Sequence, residues 1–193
     1  MIKVPSRSIN KILFITENVV SHEANTIDKF LTRIGLNFAS KFLVLSGIVE
    51  KEVQLYSKGK KVYRSELPVY DCYKKDEVRD IKKLKQELGF ADDSLVLLFF
   101  GYVRKYKGLD LLIESLPGIL STIPEAKLLI VGEFYDDPKD YFELMKKLKL
   151  EEHVKLINHF VPNEEVAKFY QCADAVILPY RSATQSGILN VAY

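Results

Sequence analysis

The chain has 193 residues, of which 48% are hydrophobic and 28% are charged, so it carries enough apolar material for a globular core. Its formal net charge of +2 argues against a general nucleic-acid binder, and any basic function must come from a local cluster. No apolar run reaches the roughly 18 residues that span a bilayer, which favours the cytoplasm and leaves peripheral membrane contact open.

The first third of the chain predicts strands that alternate with helices. Residues 11–16 form a short apolar run that predicts a buried strand, and residues 24–40 carry large apolar side chains at helical spacing. A second buried strand is predicted over residues 42–45, and Ser46 is placed to cap a helix over residues 47–56. This order is typical of a parallel sheet.

The next stretch interrupts the alternation. Residues 62–75 show no helical period, contain Pro68 and are rich in tyrosine, so we interpret them as an ordered crossing between two domains. A helix is predicted over residues 76–88, with Gly89 at its end.

From residue 95 onward the alternation resumes. Apolar runs predict strands over residues 95–100, 127–131, 154–157 and 175–178, and helical spacing predicts helices over residues 109–120, 139–148 and 164–172. Strands that are apolar throughout and alternate with helices predict a doubly wound, parallel α/β sheet of the Rossmann type. A further helix begins near Gly187 with little chain left, so the architecture is predicted to be incomplete at its end.

Ligands of such a sheet bind beyond the carboxyl ends of its strands, and the loop after residues 95–100 is the most informative one. Gly101 follows the strand directly, where a missing Cβ leaves room for a ligand, and Gly108 precedes the next helix. Between the two glycines lie three cations, Arg104, Lys105 and Lys107. Fixed cations beside the N-terminus of a helix suit a phosphate or diphosphate, and a solvated basic turn is the alternative that this loop leaves open.

Three other loops contribute polar or apolar groups at the same edge of the predicted sheet. Gly132 is predicted to be an exposed glycine after a strand, and Phe160 with Val161 offers an apolar wall for a base, next to His159 as a polar loop residue. The hydroxyl and amide groups of residues 182–186 suit an anion or sugar hydroxyls, with a plain helix N-cap as the alternative.

Several catalytic motifs are absent from the sequence. We find no G-x-S-x-G, no H-E-x-x-H, no phosphate-binding lysine loop of the Walker type and no G-x-G-x-x-G. These absences argue against hydrolases of the nucleophile-elbow type, zinc proteases, P-loop enzymes and standard dinucleotide oxidoreductases.

Three motifs occur in a fixed order: FFGYVRKYKGLDLLIESL, then KLLIVGE, then HFVPNEEVAKFYQCADAVILPYRSATQSG. Together they resemble the C-terminal domain of retaining glycosyltransferases of the GT-B fold, in the large family-four group. The resemblance implies a partial N-terminal, acceptor-side α/β unit over residues 1–66, an interdomain crossing over residues 67–75, and an incomplete C-terminal nucleotide-sugar-binding domain over residues 76–193.

The resemblance also implies a donor site. Lys107 stands at the family's lysine position, whereas Arg104 lies two positions from the usual arginine position, which Tyr102 occupies. The residues implied to bind the donor diphosphate are Gly101, Arg104 and Lys107. Those implied to bind the nucleotide or sugar are Gly132, Glu133, Phe160, Val161, Thr184, Gln185, Ser186 and Gly187.

Two departures from the family pattern concern catalytic groups. The family's pair of glutamates falls here on Thr184 and Ala192, neither of which is acidic. Where many members have a histidine in the N-terminal domain, this chain has Glu17, and His22 lies five residues later. His22 is therefore the catalytic candidate.

The implied activity is transfer of a sugar from a UDP-, GDP- or ADP-sugar to a glycan or lipid-linked acceptor, with retained configuration. The resemblance implies no tightly bound cofactor and no metal, because cationic side chains fill the role of the metal. Cys72 and Cys172, far apart and in no metal spacing, are interpreted as reduced thiols of a cytoplasmic protein.

Two alternatives to a complete transferase stay open. One is a non-catalytic nucleotide- or partner-binding module derived from a truncated transferase, with a partner chain supplying the missing parts. The other is a different phospho-ligand α/β enzyme, such as an epimerase.

Overall fold

The computed structural model describes residues 12–20, 24–67, 80–183 and 186–192. The chain divides into two compact units, one made of Met1–Pro68 and Ser182–Asn190, the other of Val69–Arg181 and Val191–Tyr193. In the described residues, no helix is long and apolar enough to cross a membrane.

The first unit contains a three-stranded parallel sheet with strand order β1-β2-β3. Its elements are β1 (Leu13–Thr16), α1 (Thr26–Phe38), β2 (Lys41–Val44), α2 (Gly47–Ser57) and β3 (Lys61–Arg64). Asn25 begins α1 with a capping box, because its side-chain oxygen accepts the Asp28 N–H at 2.9 Å and the Asp28 carboxylate accepts the Asn25 N–H at 3.0 Å. The predicted cap of α2 is confirmed, since Ser46 Oγ accepts the Val49 N–H at 3.2 Å.

Two predictions for this unit are wrong. Residues 62–64 belong to β3 and not to a crossing; they give no apolar run because the side chains of this edge strand are mostly exposed. The strand at residues 11–16 was expected to be buried, yet in β1 only Thr16 is buried, and Ile15 is 61% exposed.

The large apolar residues of α1 are exposed as well. Ile27, Phe30, Leu31, Ile34 and Phe38 all face solvent, and Leu36 is the buried residue of this helix. Leu36 packs instead into a small core with residues of β2 and α2, among them Phe42, Val44, Val49 and Val53.

The second unit contains a four-stranded parallel sheet with strand order β6-β5-β4-β7. Its elements are α3 (Ile81–Glu87), β4 (Leu95–Phe100), α4 (Leu109–Thr122), β5 (Ala126–Val131), α5 (Lys139–Lys147), β6 (Val154–Ile157), α6 (Asn163–Cys172) and β7 (Ala175–Val176). A short helix, α7 (Leu189–Ala192), follows. Of the helix predicted over residues 76–88, residues 76–79 lie outside the described residues.

Helices cover both faces of this sheet, which confirms the predicted doubly wound architecture. Along β4, Val96 and Leu98 pack on one side with residues of α3 and α6, whereas Leu97 and Phe99 pack on the other side with residues of α4 and α5. Such alternate burial on both faces explains why the strand reads as continuously apolar.

The strand order places a topological switch point between β4 and β7. From β4 the chain moves outward through β5 to β6, and β7 then returns to the opposite side of β4. Asp174 fixes this return, because its Oδ2 accepts the Val96 N–H at 2.7 Å and the Lys85 ammonium at 3.2 Å. In open α/β sheets, the carboxyl ends of strands at a switch point are where ligands bind.

Candidate functional site

A cleft of about 220 Å³ opens beyond the carboxyl ends of β4, β5 and β6. Its lining brings together five residues that the sequence predicted for the site: Gly101, Gly132, Glu133, Phe160 and Val161. Phe100, Tyr102, His159, Asn163 and Val166 complete the lining. The predicted residues of three separate loops therefore share one concave surface, which is mainly apolar with a few polar groups, as ligand sites usually are.

The floor of the cleft is built by two glycines whose backbones touch. Gly132 has a φ of 135°, and a Cβ placed on it would lie 2.4 Å from the carbonyl oxygen of Gly101. The prediction of an exposed glycine at 132 is wrong: the residue is buried, and the contact with Gly101 accounts for the missing side chain. Gly101 and Gly132 also donate backbone hydrogen bonds to Val131 and Ile157, which ties the loops to neighbouring strands.

The loops after β4 and β5 remain paired beyond the ends of their strands. Val103 N–H donates to the Glu133 carbonyl at 2.8 Å, and Tyr135 N–H donates to the Val103 carbonyl at 3.1 Å. This pairing places the Arg104 guanidinium over the Tyr135 ring, 3.8 Å from the ring centroid. Arg104 is thus held by a cation–π contact with Tyr135, a residue that the sequence analysis did not single out.

The wall formed after β6 contains one exposed ring and one buried side chain. Phe160 is 64% exposed while lining the cleft, and Val161, which also lines it, is buried in the core. An exposed aromatic ring beside a cleft offers a flat surface for stacking. His159, which the sequence predicted to be an ordinary polar loop residue, also lines the cleft; its position two residues after the end of β6 was the available signal.

Of the three cations in the loop after β4, Lys107 is the buried one. It lies in a single 3₁₀ turn, Lys105–Lys107, and is 9% exposed, whereas Lys105 is exposed. Burial, and next the nearby charge of Arg104, lowers the pKa of Lys107 to about 8. Among the described residues, no carboxylate counters these two effects. A buried cation beside a second cation is an arrangement that an anionic ligand would stabilise.

An ion pair that no sequence pattern predicted joins the loop after β7 to the first turn of α4, directly after the basic loop of residues 101–107. Arg181 donates from Nη1 to Asp110 Oδ1 and from Nη2 to Asp110 Oδ2, each at 2.7 Å. This bidentate contact lowers the pKa of Asp110 and raises that of Arg181. The two residues lie 71 positions apart in sequence, so no local pattern signals their contact.

The remaining predicted residues do not belong to this cleft or fall outside the described residues. Ser186 and Gly187 are grouped with the first unit, where their carbonyls accept the N–H groups of Leu189 and Asn190. His22, Thr184 and Gln185 lie outside the described residues. A metal site is not suggested either: within the ranges that are described, no group of three or more His, Cys, Asp or Glu residues could hold an ion.

Comparison with known proteins gives consistent matches. The sequence profile of the family described as glycosyl transferases group 1 matches residues 80–188. An uncharacterized glycosyltransferase of Methanocaldococcus jannaschii is 34% identical over 96 residues, which cover 49% of this chain and 24% of that protein. D-inositol 3-phosphate glycosyltransferase 1 of Catenulispora acidiphila is 31% identical over 113 residues, which cover 54% of this chain and 27% of that protein.

A solved structure shares the fold. The crystal structure of Anabaena HepE in complex with UDP and glucose matches with a TM-score of 0.72 and 21% identity, covering 92% of this chain and 48% of HepE. The match therefore covers about half the length of HepE, and about a quarter of the length of each of the two sequence relatives.

Proposed function

Because the chain belongs to the glycosyl transferases group 1 family, we propose that it binds a nucleoside diphosphate sugar and takes part in transferring the sugar to an acceptor hydroxyl. In this proposal the nucleoside occupies the cleft beyond β4, β5 and β6, and the diphosphate lies against the basic loop. HepE, which shares the fold, was crystallised with UDP, and this makes UDP the first ligand to test.

The observation that carries the proposal is the state of Lys107. A lysine that is 9% exposed, with its pKa lowered to about 8, has its charged form destabilised by burial and by the neighbouring Arg104. A diphosphate would supply the missing negative charge, and the exposed ring of Phe160 would supply a stacking surface for the base.

Arg104 and Lys107 define the chemical step that this site would assist. When the bond between the sugar and the diphosphate breaks, negative charge grows on the departing nucleoside diphosphate. Two cations that are already in place stabilise that charge without reorganisation, and the loss of one such donor would slow transfer by about 10²–10³-fold. We further propose that the anomeric configuration is retained, which rests on the family resemblance. The anomeric coupling constant of the product, measured by NMR, tests that point.

The first experiment is a titration with UDP, GDP and ADP, in which calorimetry measures binding and thermal unfolding measures the melting temperature. At least one of the three nucleotides is expected to bind and to raise the melting temperature, since a ligand that binds only the folded state stabilises it. The variant Lys107→Ala is expected to bind that nucleotide about tenfold more weakly or worse.

Lys105→Ala is the matched control, because Lys105 lies in the same turn but is exposed. Its affinity is expected to stay within about twofold of that of the unaltered chain. The proposal fails if none of the three nucleotides stabilises the protein, or if Lys107→Ala and Lys105→Ala bind equally well.

A further inference from the structure

In addition to its ion pair with Asp110, Arg181 contacts the basic loop itself. Besides bridging both oxygens of Asp110, its Nη1 donates to the Lys105 carbonyl at 3.0 Å, and its own backbone N–H donates to the Tyr106 carbonyl at 2.8 Å. Tyr180, the preceding residue, meets the Tyr106 ring edge-on at 6.0 Å. The loop after β7 thus holds the backbone of the turn that carries Lys107.

The end of the same turn is closed by a backbone contact. Gly108 has a φ of 71°, and a Cβ on it would lie 2.1 Å from the carbonyl oxygen of Pro179. The segment from Pro179 to Arg181 therefore lies directly against the turn, with no side chain between them at Gly108. All of these contacts are within the second unit.

The ion pair between Arg181 and Asp110 serves to orient the Arg181 side chain more than to stabilise the folded chain. The two side chains are 38% and 32% exposed, and ion pairs with that degree of exposure contribute little to the free energy of unfolding. A guanidinium that is fixed by both oxygens of one carboxylate nevertheless has a defined plane, so its one bond to the Lys105 carbonyl is directional. Asp110 itself is fixed because it belongs to the first turn of α4.

We propose that Arg181 and Asp110 are positioning residues for donor binding: Asp110 orients Arg181, and Arg181 fixes the turn that presents Lys107 to the donor diphosphate. This inference rests on the proposed function. It adds that the loop after β7 acts on the diphosphate indirectly, through the backbone of the turn Lys105–Lys107.

A double-mutant cycle on UDP affinity tests the inference. Arg181→Ala is expected to weaken UDP binding about five- to tenfold when Lys107 is present, with little change in melting temperature. In a Lys107→Ala background the same change is expected to weaken binding less than about twofold, because the residue through which Arg181 acts is already gone. If Arg181 supported the site without acting through Lys107, Arg181→Ala would lower UDP affinity by the same factor whether or not Lys107 is present.

The pH profile of Arg181→Ala gives a second measurement, which does not require binding by Lys107→Ala to be strong enough to titrate. UDP affinity of the unaltered chain is expected to fall above pH of about 8, where Lys107 loses its proton. If Arg181→Ala displaces Lys107 from the diphosphate, its weaker affinity will vary much less over that range. Equal pH dependence in both proteins would overturn the inference.

Two variants serve as controls. Arg64→Ala removes an arginine–carboxylate pair of the other unit, with Glu50, and is expected to leave UDP affinity unchanged. Asp110→Asn preserves the size of the side chain while removing its charge; it is expected to reproduce the effect of Arg181→Ala, and it replaces that variant in the cycle if Arg181→Ala does not fold.

The possible outcomes separate this inference from the proposed function. Failure of the unaltered chain to bind any nucleoside diphosphate overturns both. Binding that depends on Lys107, together with unchanged affinity in folded Arg181→Ala and Asp110→Asn, leaves the proposed function standing and overturns the positioning role.

Discussion

The burial of Lys107, which the proposed diphosphate site uses, lowers the stability of the folded chain. Its pKa of about 8 in the folded chain lies below the ordinary value of 10.5, so the fold disfavours its charged form. A difference of this size corresponds to about 3 kcal/mol of destabilisation wherever the lysine is charged in both states. The penalty is full below pH 8, decreases as the pH rises toward 10.5, and is absent above that value.

Replacement of Lys107 by an uncharged side chain of similar length should therefore stabilise the protein. We expect Lys107→Met to raise the free energy of unfolding by about 1–3 kcal/mol at pH 7, and this gain should vanish near pH 10.5. Urea unfolding of the two proteins at both pH values measures it. Lys105→Met, at an exposed position, should show no gain at either pH, and an equal gain in both variants would contradict the assignment.

Tyr135 is expected to preorganise Arg104. Cation–π contacts at exposed sites contribute about 0.5–1 kcal/mol, so Tyr135→Ala should weaken UDP binding by about two- to fivefold. Tyr135→Phe retains the ring and should bind like the unaltered chain. Calorimetric titration of the two variants decides the point, and equal losses for Phe and Ala would show that the hydroxyl, and not the ring, matters.

At the level of secondary structure elements, the loops after β4 and β5 depend on a contact between two backbones. Gly132→Ala would place a methyl group 2.4 Å from the Gly101 carbonyl oxygen, at a φ that L-residues rarely adopt. We expect a loss of about 2 kcal/mol or more in the free energy of unfolding, together with weaker UDP binding. Chemical denaturation measures the first effect, and titration the second.

The same substitution elsewhere should have the opposite sign. Gly118 lies inside α4, and a Cβ added there would meet no atom within 4 Å. Gly118→Ala should therefore stabilise the protein by about 0.5–1 kcal/mol, because alanine favours helix more than glycine does. A destabilised Gly118→Ala protein would show that glycine replacement is harmful in general and not specifically at the cleft.

The elements that the sequence predicted best are those buried on both sides. In the second unit, each strand was found at the position of a predicted apolar run, because helices cover both faces of the sheet. The predicted architecture and the glycosyltransferase family are confirmed. β3 was missed because an exposed edge strand gives no such run. The burial predicted for β1 was wrong, because an apolar run is buried only where another element covers it.

The candidate site was predictable where one loop carries its own signal. Gly101 and Lys107 stand out in sequence because glycines and cations follow a strand directly. Asp110 and Arg181 meet only in three dimensions, since the strand order brings the loop after β7 back to β4. Tyr135 likewise depends on the pairing of two loops beyond their strands. Long-range pairing of this kind leaves no periodic trace in the sequence.

At the level of the whole molecule, the first unit exposes an unusual amount of apolar surface on α1. Ile27, Phe30 and Leu31 are each more than half exposed, and apolar surfaces of this kind favour association or dye binding. We expect the purified chain to bind a hydrophobic dye and to self-associate at high concentration. Phe30→Ser with Leu31→Gln should reduce both effects, as measured by dye fluorescence and light scattering.

That double replacement should change the free energy of unfolding by less than about 0.5 kcal/mol, because exposed positions contribute little. Leu36→Ala, at the buried position of the same helix, should instead lower it by about 2–5 kcal/mol. Similar losses in the two proteins would mean that the exposed residues of α1 are packed in solution.

The return of β7 to β4 also predicts an order of events during folding. β5 follows β4 after a single helix, whereas the hydrogen bond between Val96 and Asp174 spans 78 positions. Because closing a long loop removes more chain entropy than closing a short one, β4, β5 and β6 should pair early and β7 should dock last. Arg181 reaches the turn of Lys107 only with β7, so a chain caught before that step would hold a formed sheet without the fixed turn that the proposed diphosphate site requires. Nucleotide would then be captured only by molecules that have finished folding.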